Sequence, residues 1–183
     1  MNETKNYGIT KSGAVILEGG ANRGVFTAGA LDFLMEQEYY IPHVIGVSAG
    51  ACNALDYVSR QIGRTRDCMI VTDEKNRYVN KNIKTIVEKK ALLDMDMVFE
   101  RYPYEVFPFD FDTYFASPQT CELVVTNCET GRAEYLDDRE NKNVCLQLAV
   151  HHRACRSPAR WWRSMETSTS TAVLPIRSRL FVP

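Results

Sequence analysis

The spacing of apolar residues divides the first third of the chain into four predicted elements. A short apolar run at 14–17 ends at a glycine pair, which predicts a buried strand entering a tight loop. Apolar residues then recur with a helical period from 24 to about 40, and a second apolar run at 44–47 predicts another strand. A second helix is expected from 49 to about 62, before Gly63. This order predicts a parallel βαβ unit and an α/β domain.

The pattern is weaker in the middle of the chain. The basic stretch 81–90 predicts a short helix, whereas residues 94–118 are rich in Asp, Phe, Tyr and Pro and predict a long ordered loop or cap. Residues 121–127 predict a strand. A Thr-Gly turn follows, and residues 133–136 are expected to return as the second strand of a hairpin.

Charge separates the end of the chain from the rest. Residues 149–183 contain six arginines, no lysine and one acid, which leaves 16 basic and 22 acidic side chains in residues 1–148. The two parts therefore carry net charges of +5 and −6, and we consider them separately. The overall charge of −1 argues against a protein that binds nucleic acid by neutralising phosphates.

The cysteines and the apolar content indicate the compartment. The six cysteines lack metal-ligand spacing, and residues 1–12 lack the apolar run of a signal peptide, so we expect reduced thiols in the cytoplasm. No stretch approaches the roughly 20 apolar residues of a membrane span. Any contact with lipid would therefore be peripheral, from the aqueous side. Neither a metal nor another cofactor is expected.

The sharpest chemical signal is a G-x-S-x-G motif between the second predicted strand and the second helix. It consists of Gly46, Val47, Ser48, Ala49 and Gly50. A nucleophile elbow needs small flanking residues because its serine sits on a strained turn, and the following helix directs its positive end at the site. The other interpretation is a glycine-rich turn with an incidental serine. The position between strand and helix favours Ser48 as a catalytic nucleophile.

A second glycine-rich loop, residues 18–24, follows the first strand. Its spacing weakly matches a dinucleotide-binding fingerprint. Such a site requires an acidic residue after the second strand to bind the ribose, and this chain has Ser48 there. Adjacent parallel strands bring both loops to one edge of the sheet, which favours an oxyanion hole beside the serine. The expected contributors are Gly19, Gly20, Ala21, Asn22, Arg23 and Gly24.

A histidine base for Ser48 is hard to find in the sequence. The only histidine up to residue 148 is His43, at the opposite end of the second strand from Ser48. A Ser-His-Asp triad would need His151 or His152. A carboxylate hydrogen-bonded directly to the serine hydroxyl is the simplest substitute for a histidine base.

Together these features resemble the patatin-like phospholipase family, most closely its bacterial branch. A glycine-rich loop containing Arg-Gly is followed by G-x-S-x-G with no histidine, and the likeness covers roughly residues 12–148. It continues through three further segments, Phe107-Pro108-Phe109-Asp110, Phe115-Ala116-Ser117-Pro118 and Thr126-Asn127-Cys128-Glu129-Thr130-Gly131.

The resemblance implies a parallel-sheet, three-layer acyl hydrolase that cleaves lipid or phospholipid esters with a Ser-Asp dyad. Ser48 would be the nucleophile, and the glycine loop would supply oxyanion donors. Ala21 stands where the family more commonly has a third glycine, while its amide remains available. Arg23 would lie beside the hole as a charge stabiliser or a structural anchor.

The family's aspartate lies in an Asp-Gly-Gly or Asp-Gly-Ala motif, and neither tripeptide occurs in this chain. Asp137 and Asp138 lack the glycines and are interpreted as surface acids, and Asp110 and Asp112 fit no better. The Ser-Asp dyad is therefore incomplete, which predicts an inactive chain. The same loop without turnover would suit a non-catalytic acyl- or anion-binding protein, and a nucleotide-binding βαβ protein is a third hypothesis.

Residues 149–183, the tail, suggest why the motif is missing. The tail has no helical or alternating period. When the third base of each possible codon in residues 166–179 is joined to the first two bases of the next codon, this shifted reading frame can encode Tyr-Leu-Asp-Gly-Gly-Val-Ala-Asp-Ser-Ile-Pro. We therefore expect a frameshift near residue 148. It would divide the chain into an incomplete nucleophile-bearing domain at 12–148 and an out-of-frame or disordered tail. The alternative is an authentic, divergent C-terminus.

Overall fold

The first part of the chain forms two parallel strands, each followed by a helix. A computed structural model describes residues 12–79, 94, 97–127, 130–137 and 171–172. Within it, β1 is Ala14–Leu17, α1 is Gly24–Glu36, β2 is His43–Val47 and α2 is Ala49–Val58. A short 3-10 turn, Ala21–Arg23, leads into α1. The predicted βαβ unit is confirmed, because β1 and β2 pair in parallel from Ala14–His43 to Leu17–Gly46.

Both predicted helices end earlier than the apolar pattern suggested. α1 stops at Glu36 and is followed by Glu38 in a left-handed conformation, with φ 52°. α2 stops at Val58 rather than near 62, since Arg60 turns the backbone with φ 59°. Gly63, expected to end α2, has φ 80° and precedes an unforeseen helix, α3, at Arg64–Met69. Periodicity alone did not reveal these left-handed turns.

The segment 94–118, expected to be a long ordered loop or cap, is largely helical in its described residues, so the prediction of a loop was wrong. Met97–Val106 forms a π-helical segment, and α4 follows at Phe111–Ala116. The wide turn is visible in the 2.8 Å bond from the Phe107 amide to the carbonyl of Tyr102, five residues back. Pro103 lies inside the π-helical segment. The helix predicted at 81–90 lies outside the described residues.

The sheet continues with β3 at Thr120–Asn127 and β4 at Ala133–Asp137, in the order β1-β2-β3-β4. β3 is parallel to β2, whereas β4 is antiparallel to β3, which confirms the predicted hairpin. β5, Thr171–Ala172, pairs with the end of β3. Thr126 of β3 pairs with Ala133 of β4 on one side, so its pairing with Ala172 must lie on the other side of β3. That is the side on which β2 lies, and β5 therefore pairs with β3 beyond the carboxyl end of β2.

The core lies between the helices and one face of the sheet. Leu17, Leu31, Val44, Tyr57 and Leu123 are all buried there. Burying an aliphatic side chain of this kind contributes about 1.5–3 kcal/mol, so the cluster fixes β1, β2 and β3 against α1 and α2. The predicted α/β fold is confirmed, and it brings the ends of β1 and β2 to the same edge of the sheet.

Candidate active site

Ser48 occupies a strained turn between β2 and α2. Its backbone angles are φ 54° and ψ −120°, a combination that non-glycine residues rarely adopt. The residue is half-buried, and it lies at the carboxyl end of β2, immediately before the first turn of α2. A strained serine in this position is what a nucleophile elbow requires.

The glycines on either side of Ser48 have no room for a side chain. A Cβ built on Gly46 would lie 2.6 Å from the carbonyl oxygen of Gly50. A Cβ built on Gly50 would lie 2.1 Å from the carbonyl oxygen of Leu17, at the end of β1. The G-x-S-x-G spacing therefore has a steric cause, since both glycines allow backbone segments to touch. Val47 and Ala49 lie between them, and Ala49 is buried.

The glycine loop lies directly against this elbow, as the parallel pairing predicted. A Cβ built on Gly19 would be 2.9 Å from the Cβ of Ser48 and 3.6 Å from its Oγ. Farther along the loop, a Cβ built on Gly24 would be 3.2 Å from the Cβ of Ala49. The two loops thus contact each other at both ends of residues 19–24.

Two of the six candidate oxyanion donors already make bonds inside the loop. The Arg23 amide donates to the Gly20 carbonyl at 3.1 Å, and the Gly24 amide donates to the carbonyls of Ala21 and Asn22. These bonds close the 3-10 turn. They do not use the other four candidate amides, those of Gly19, Gly20, Ala21 and Asn22, which are better placed to meet a ligand.

Ala21 adopts a conformation that favours glycine. Its φ is 49°, in the left-handed region where a Cβ costs about 1–2 kcal/mol. The sequence suggested only a small departure from the family pattern at this position, because the amide is retained. The structure shows an additional backbone strain that the amide argument did not include.

Side chains around the loop hold it from the outside. Arg23 is exposed and folds over Gly20, where a built Cβ would lie 3.5 Å from the Arg23 Nε. The Tyr78 hydroxyl donates a 2.8 Å hydrogen bond to Oδ1 of Asn22, although the two residues are 56 positions apart. The Tyr78 ring meets that of Tyr102 edge-on, with centroids 6.3 Å apart. No residue pattern predicted the contact between Tyr78 and Asn22.

A buried ion pair lies farther along α2. Asp56 accepts from Nη1 of Arg64 at 2.7 Å and from Oγ1 of Thr65 at 2.5 Å. Burial raises the pKa of Asp56, while the Arg64 charge opposes that shift. Asp56 follows Ser48 by about two helical turns, roughly 12 Å along the axis, so it cannot serve as the base.

Arg64 also anchors one of the segments that carried the family resemblance. Its Nε and Nη2 donate to the carbonyl of Phe107 at 3.0 and 2.9 Å. Gln61 donates to the carbonyl of Pro108 at 2.9 Å and accepts from the Asp110 amide at 2.9 Å. This part of the resemblance therefore supports the frame around the site rather than the chemistry.

None of the acids considered from the sequence lies beside Ser48 in the described residues. Asp110 accepts from the amide of Thr113 and caps α4, and Asp112 is exposed. Asp137 pairs with Glu122, which in turn pairs with Ile45. It is therefore about 10 Å across the sheet and about 10 Å along it from Ser48. Asp138 lies outside the described residues.

The histidines offer no closer base within the described residues. His43 begins β2, at the end opposite Ser48, and its Nδ1 is 2.6 Å from Oγ1 of Thr120. His151 and His152 lie outside the described residues. No hydrogen bond joins Oγ of Ser48 to another residue that the structure describes.

The thiols near the site are protonated at neutral pH. Burial raises the pKa of Cys52 to about 11 and that of Cys68 to about 12. Both are thiols outside any disulfide, as is Cys121. Within the described ranges, no group of three or more His, Cys, Asp or Glu side chains is arranged to hold a metal ion.

Comparison with known proteins agrees with this geometry. A family model described as patatin-like phospholipase matches residues 15–174, and thus extends past residue 148 into the tail. A segment of 101 residues is 31% identical to the uncharacterized protein YjjU of Escherichia coli (strain K12). That segment spans 55% of this chain and 28% of YjjU. No solved structure matches the chain significantly. On the strength of the family match, the chain belongs to the patatin-like phospholipase family.

Proposed function

We propose that this chain carries the nucleophile and the oxyanion hole of a serine acyl hydrolase that cleaves lipid or phospholipid esters. The observation that supports this most directly is the Ser48 elbow. The serine is strained between two glycines that cannot take a side chain, and Gly19 lies against its Cβ. Membership of the patatin-like phospholipase family supports lipid esters as the substrate class.

In the proposed reaction, Oγ of Ser48 attacks the ester carbonyl carbon while a base accepts its proton. The carbonyl oxygen gains negative charge and receives hydrogen bonds from the loop amides of Gly19, Gly20, Ala21 and Asn22. The tetrahedral intermediate then collapses, the protonated alcohol leaves, and an acyl-enzyme remains on Ser48. Water hydrolyses that ester and releases the fatty acid.

We further propose that the base is missing from this chain because of the frameshift near residue 148. In the string that the regrouped codons permit, the aspartate arises from the codons of Ser170 and Thr171, and the glycines from those of 171–173. The permitted string contains the Asp-Gly-Gly motif that the family resemblance calls for, which supports a Ser-Asp dyad in the in-frame protein.

Labelling with a fluorophosphonate probe tests both proposals. The comparison uses the chain as written, its Ser48→Ala variant and a chain with the reading frame restored after residue 148. We expect the restored chain to label and to hydrolyse a short acyl ester. The chain as written should react at least about 100-fold more slowly, the usual effect of losing a general base.

Two controls make this experiment decisive. Ser48→Ala should abolish labelling in both backgrounds, and changing the restored aspartate to asparagine should return the restored chain to the slow rate. Equal turnover by the written and restored chains would overturn the missing-base proposal. Labelling that survives Ser48→Ala would overturn the assignment of the nucleophile.

A non-catalytic acyl- or anion-binding role is the second candidate. It is favoured by the lack of a hydrogen bond from Ser48 to any described acid or histidine. In that case a fatty acid should bind saturably to the chain as written, with no labelling of Ser48. Binding without labelling in the frame-restored chain as well would favour this role over hydrolysis.

Any meeting with lipid would take place at the surface. No described helix has the length and apolar character needed to cross a membrane. Phe26, in the first turn of α1 and two residues after the glycine loop, is 86% exposed. We propose that Phe26 contributes to peripheral membrane contact near the site. Phe26→Ser should then weaken binding to phospholipid vesicles without changing the melting temperature.

A further inference from the structure

One buried polar side chain joins the two loops of the site. Asn53 lies on α2, just over one turn after Ser48, and is 2% exposed. Its Nδ2 donates to the carbonyl of Gly24 at 3.2 Å and to the carbonyl of Ala49 at 3.1 Å. A single amide thus contacts the first residue of α1, where the glycine loop ends, and the first residue of α2, which follows Ser48.

These hydrogen bonds add little that the helices need for stability. Gly24 and Ala49 each begin a helix, where a carbonyl accepts from the amide four residues later. Neither carbonyl would therefore be left unsatisfied without Asn53. Meanwhile Oδ1 of Asn53 is buried and has no hydrogen-bond partner among the described residues. An unpaired buried acceptor costs about 1–3 kcal/mol, which offsets much of the gain from the two bonds.

The orientation of the amide is set by its neighbours. Both nearby groups are carbonyl oxygens, so only the NH₂ end of the side chain can face them. An apolar side chain of similar volume would keep the packing and remove the unpaired oxygen. Stability alone therefore does not account for an asparagine at this position.

We propose that Asn53 is a positioning residue that sets the distance between the glycine loop and the Ser48 elbow. This inference rests on the proposed function for the role of the two loops. The contact region is tight, since a Cβ built on Gly24 would lie 3.2 Å from both the Ala49 Cβ and the Asn53 Nδ2. Oxyanion stabilisation depends on donors about 2.7–3.1 Å from the developing charge, so a small shift of the loop weakens it.

The first test is hydrogen exchange in the full chain, which does not depend on activity. Asn53→Leu keeps the volume and removes the donor. We expect the hydrogen-bonded loop amides of Arg23 and Gly24 to exchange at least about 10-fold faster in this variant, while α1 and α2 beyond their first turns keep their protection. The melting temperature should change by no more than a few degrees. The variant removes one unpaired buried oxygen, and the two hydrogen bonds it loses go to carbonyls that also accept from helix amides.

The second test uses the charge state of Asn53→Asp. A protonated carboxyl group at this position can donate to one carbonyl, whereas the ionised form can only accept and repels both. Burial raises the pKa of such a carboxyl group, so the donor is present at low pH and lost as pH rises through that value. We expect the labelling rate of Ser48 in Asn53→Asp, relative to the unmodified chain, to fall as pH rises through the pKa of that carboxyl group. Asn53→Leu should be slow throughout.

The outcomes separate this inference from the proposed function. Unchanged exchange of the Arg23 and Gly24 amides in Asn53→Leu would overturn it. So would a uniform increase in exchange together with a large drop in melting temperature, which would indicate a purely structural role. If the unmodified chain and its frame-restored version both fail to label, the proposed function fails. The exchange result then still decides whether Asn53 fixes the loop.

Discussion

The loops around Ser48 and the segment from α3 to α4 are held in place in different ways. At the site, backbone touches backbone, and glycines remove the side chains that would prevent it. A Cβ on Gly46 or Gly50 would overlap a carbonyl oxygen, and one on Gly19 would overlap Ser48. The position of Ser48 therefore depends on shape more than on any single hydrogen bond.

The segment from α3 to α4 is held instead by long polar side chains that reach backbone carbonyls. Arg64 donates to Phe107 and Gln61 to Pro108, and the Tyr102 hydroxyl donates to the carbonyl of Asn76. Such contacts tolerate added volume but fail when a donor is lost. We therefore expect the site to be most sensitive to added atoms and the α3–α4 segment to be most sensitive to lost ones.

The largest effect should come from Gly50→Ala. Its Cβ would lie 2.1 Å from the Leu17 carbonyl oxygen, so β1 and the start of α2 would have to separate. We expect a loss of about 4 kcal/mol or more in the free energy of unfolding, measured by denaturant titration, or failure to fold.

Gly29→Ala is the matched control for Gly50→Ala. Gly29 is an exposed glycine within α1, and a Cβ there would meet nothing within 4 Å. The same substitution should stabilise the chain by about 0.5–1 kcal/mol, because alanine is the better helix former. Similar free energies for the two variants would contradict the steric account of the site.

Next in size is Arg64→Met, which removes a donor from the α3–α4 segment. The variant leaves the Asp56 carboxylate buried without its cation and frees the Phe107 carbonyl. Losing one partner of a buried pair costs about 3 kcal/mol at pH 7. Arg101→Met is the control, since its pair with Glu105 is exposed and should contribute less than about 0.5 kcal/mol.

The cost of Arg64→Met should depend on pH. Burial already raises the pKa of Asp56 above its ordinary value of 3.8, and loss of the Arg64 charge raises it further. A raised folded-state pKa means that stability is kept at low pH and lost as pH rises through that value. The deficit relative to the unmodified chain should therefore be larger at pH 8 than at pH 5. Equal deficits at both values would show that Asp56 is not the source.

The same contrast explains what the sequence could predict. Short-range sequence patterns predicted the elements of the candidate site. Apolar runs predicted β1 and β2, and the spacing of Gly46, Ser48 and Gly50 predicted the turn between β2 and α2. Steric requirements of this kind act between near neighbours in the chain or between adjacent strands. They therefore leave a signal in the residue types themselves.

Long-range polar contacts left no such signal. Nothing near Tyr78 indicates a bond to Asn22, and nothing near Arg64 indicates the carbonyl of Phe107, 43 residues away. The aromatic and proline-rich composition of 94–118 also concealed a π-helical segment and α4. Asn53 was missed because an asparagine within a helix is unremarkable until its two carbonyl partners are known.

Ala21→Gly should have the smallest effect and the opposite sign. Ala21 is the one place in the glycine loop where a Cβ is present despite a left-handed φ of 49°. Glycine removes that strain but increases the freedom of the unfolded chain, so the net gain should be about 0.5–1 kcal/mol. Thermal melting should show a rise of about 1–4 °C.

Ala30→Gly, at an exposed position in α1, should instead lower the melting temperature, because glycine is a poor helix former. If both substitutions lowered it, Ala21 would not be strained in solution, and shape alone would account for the stability of the loop.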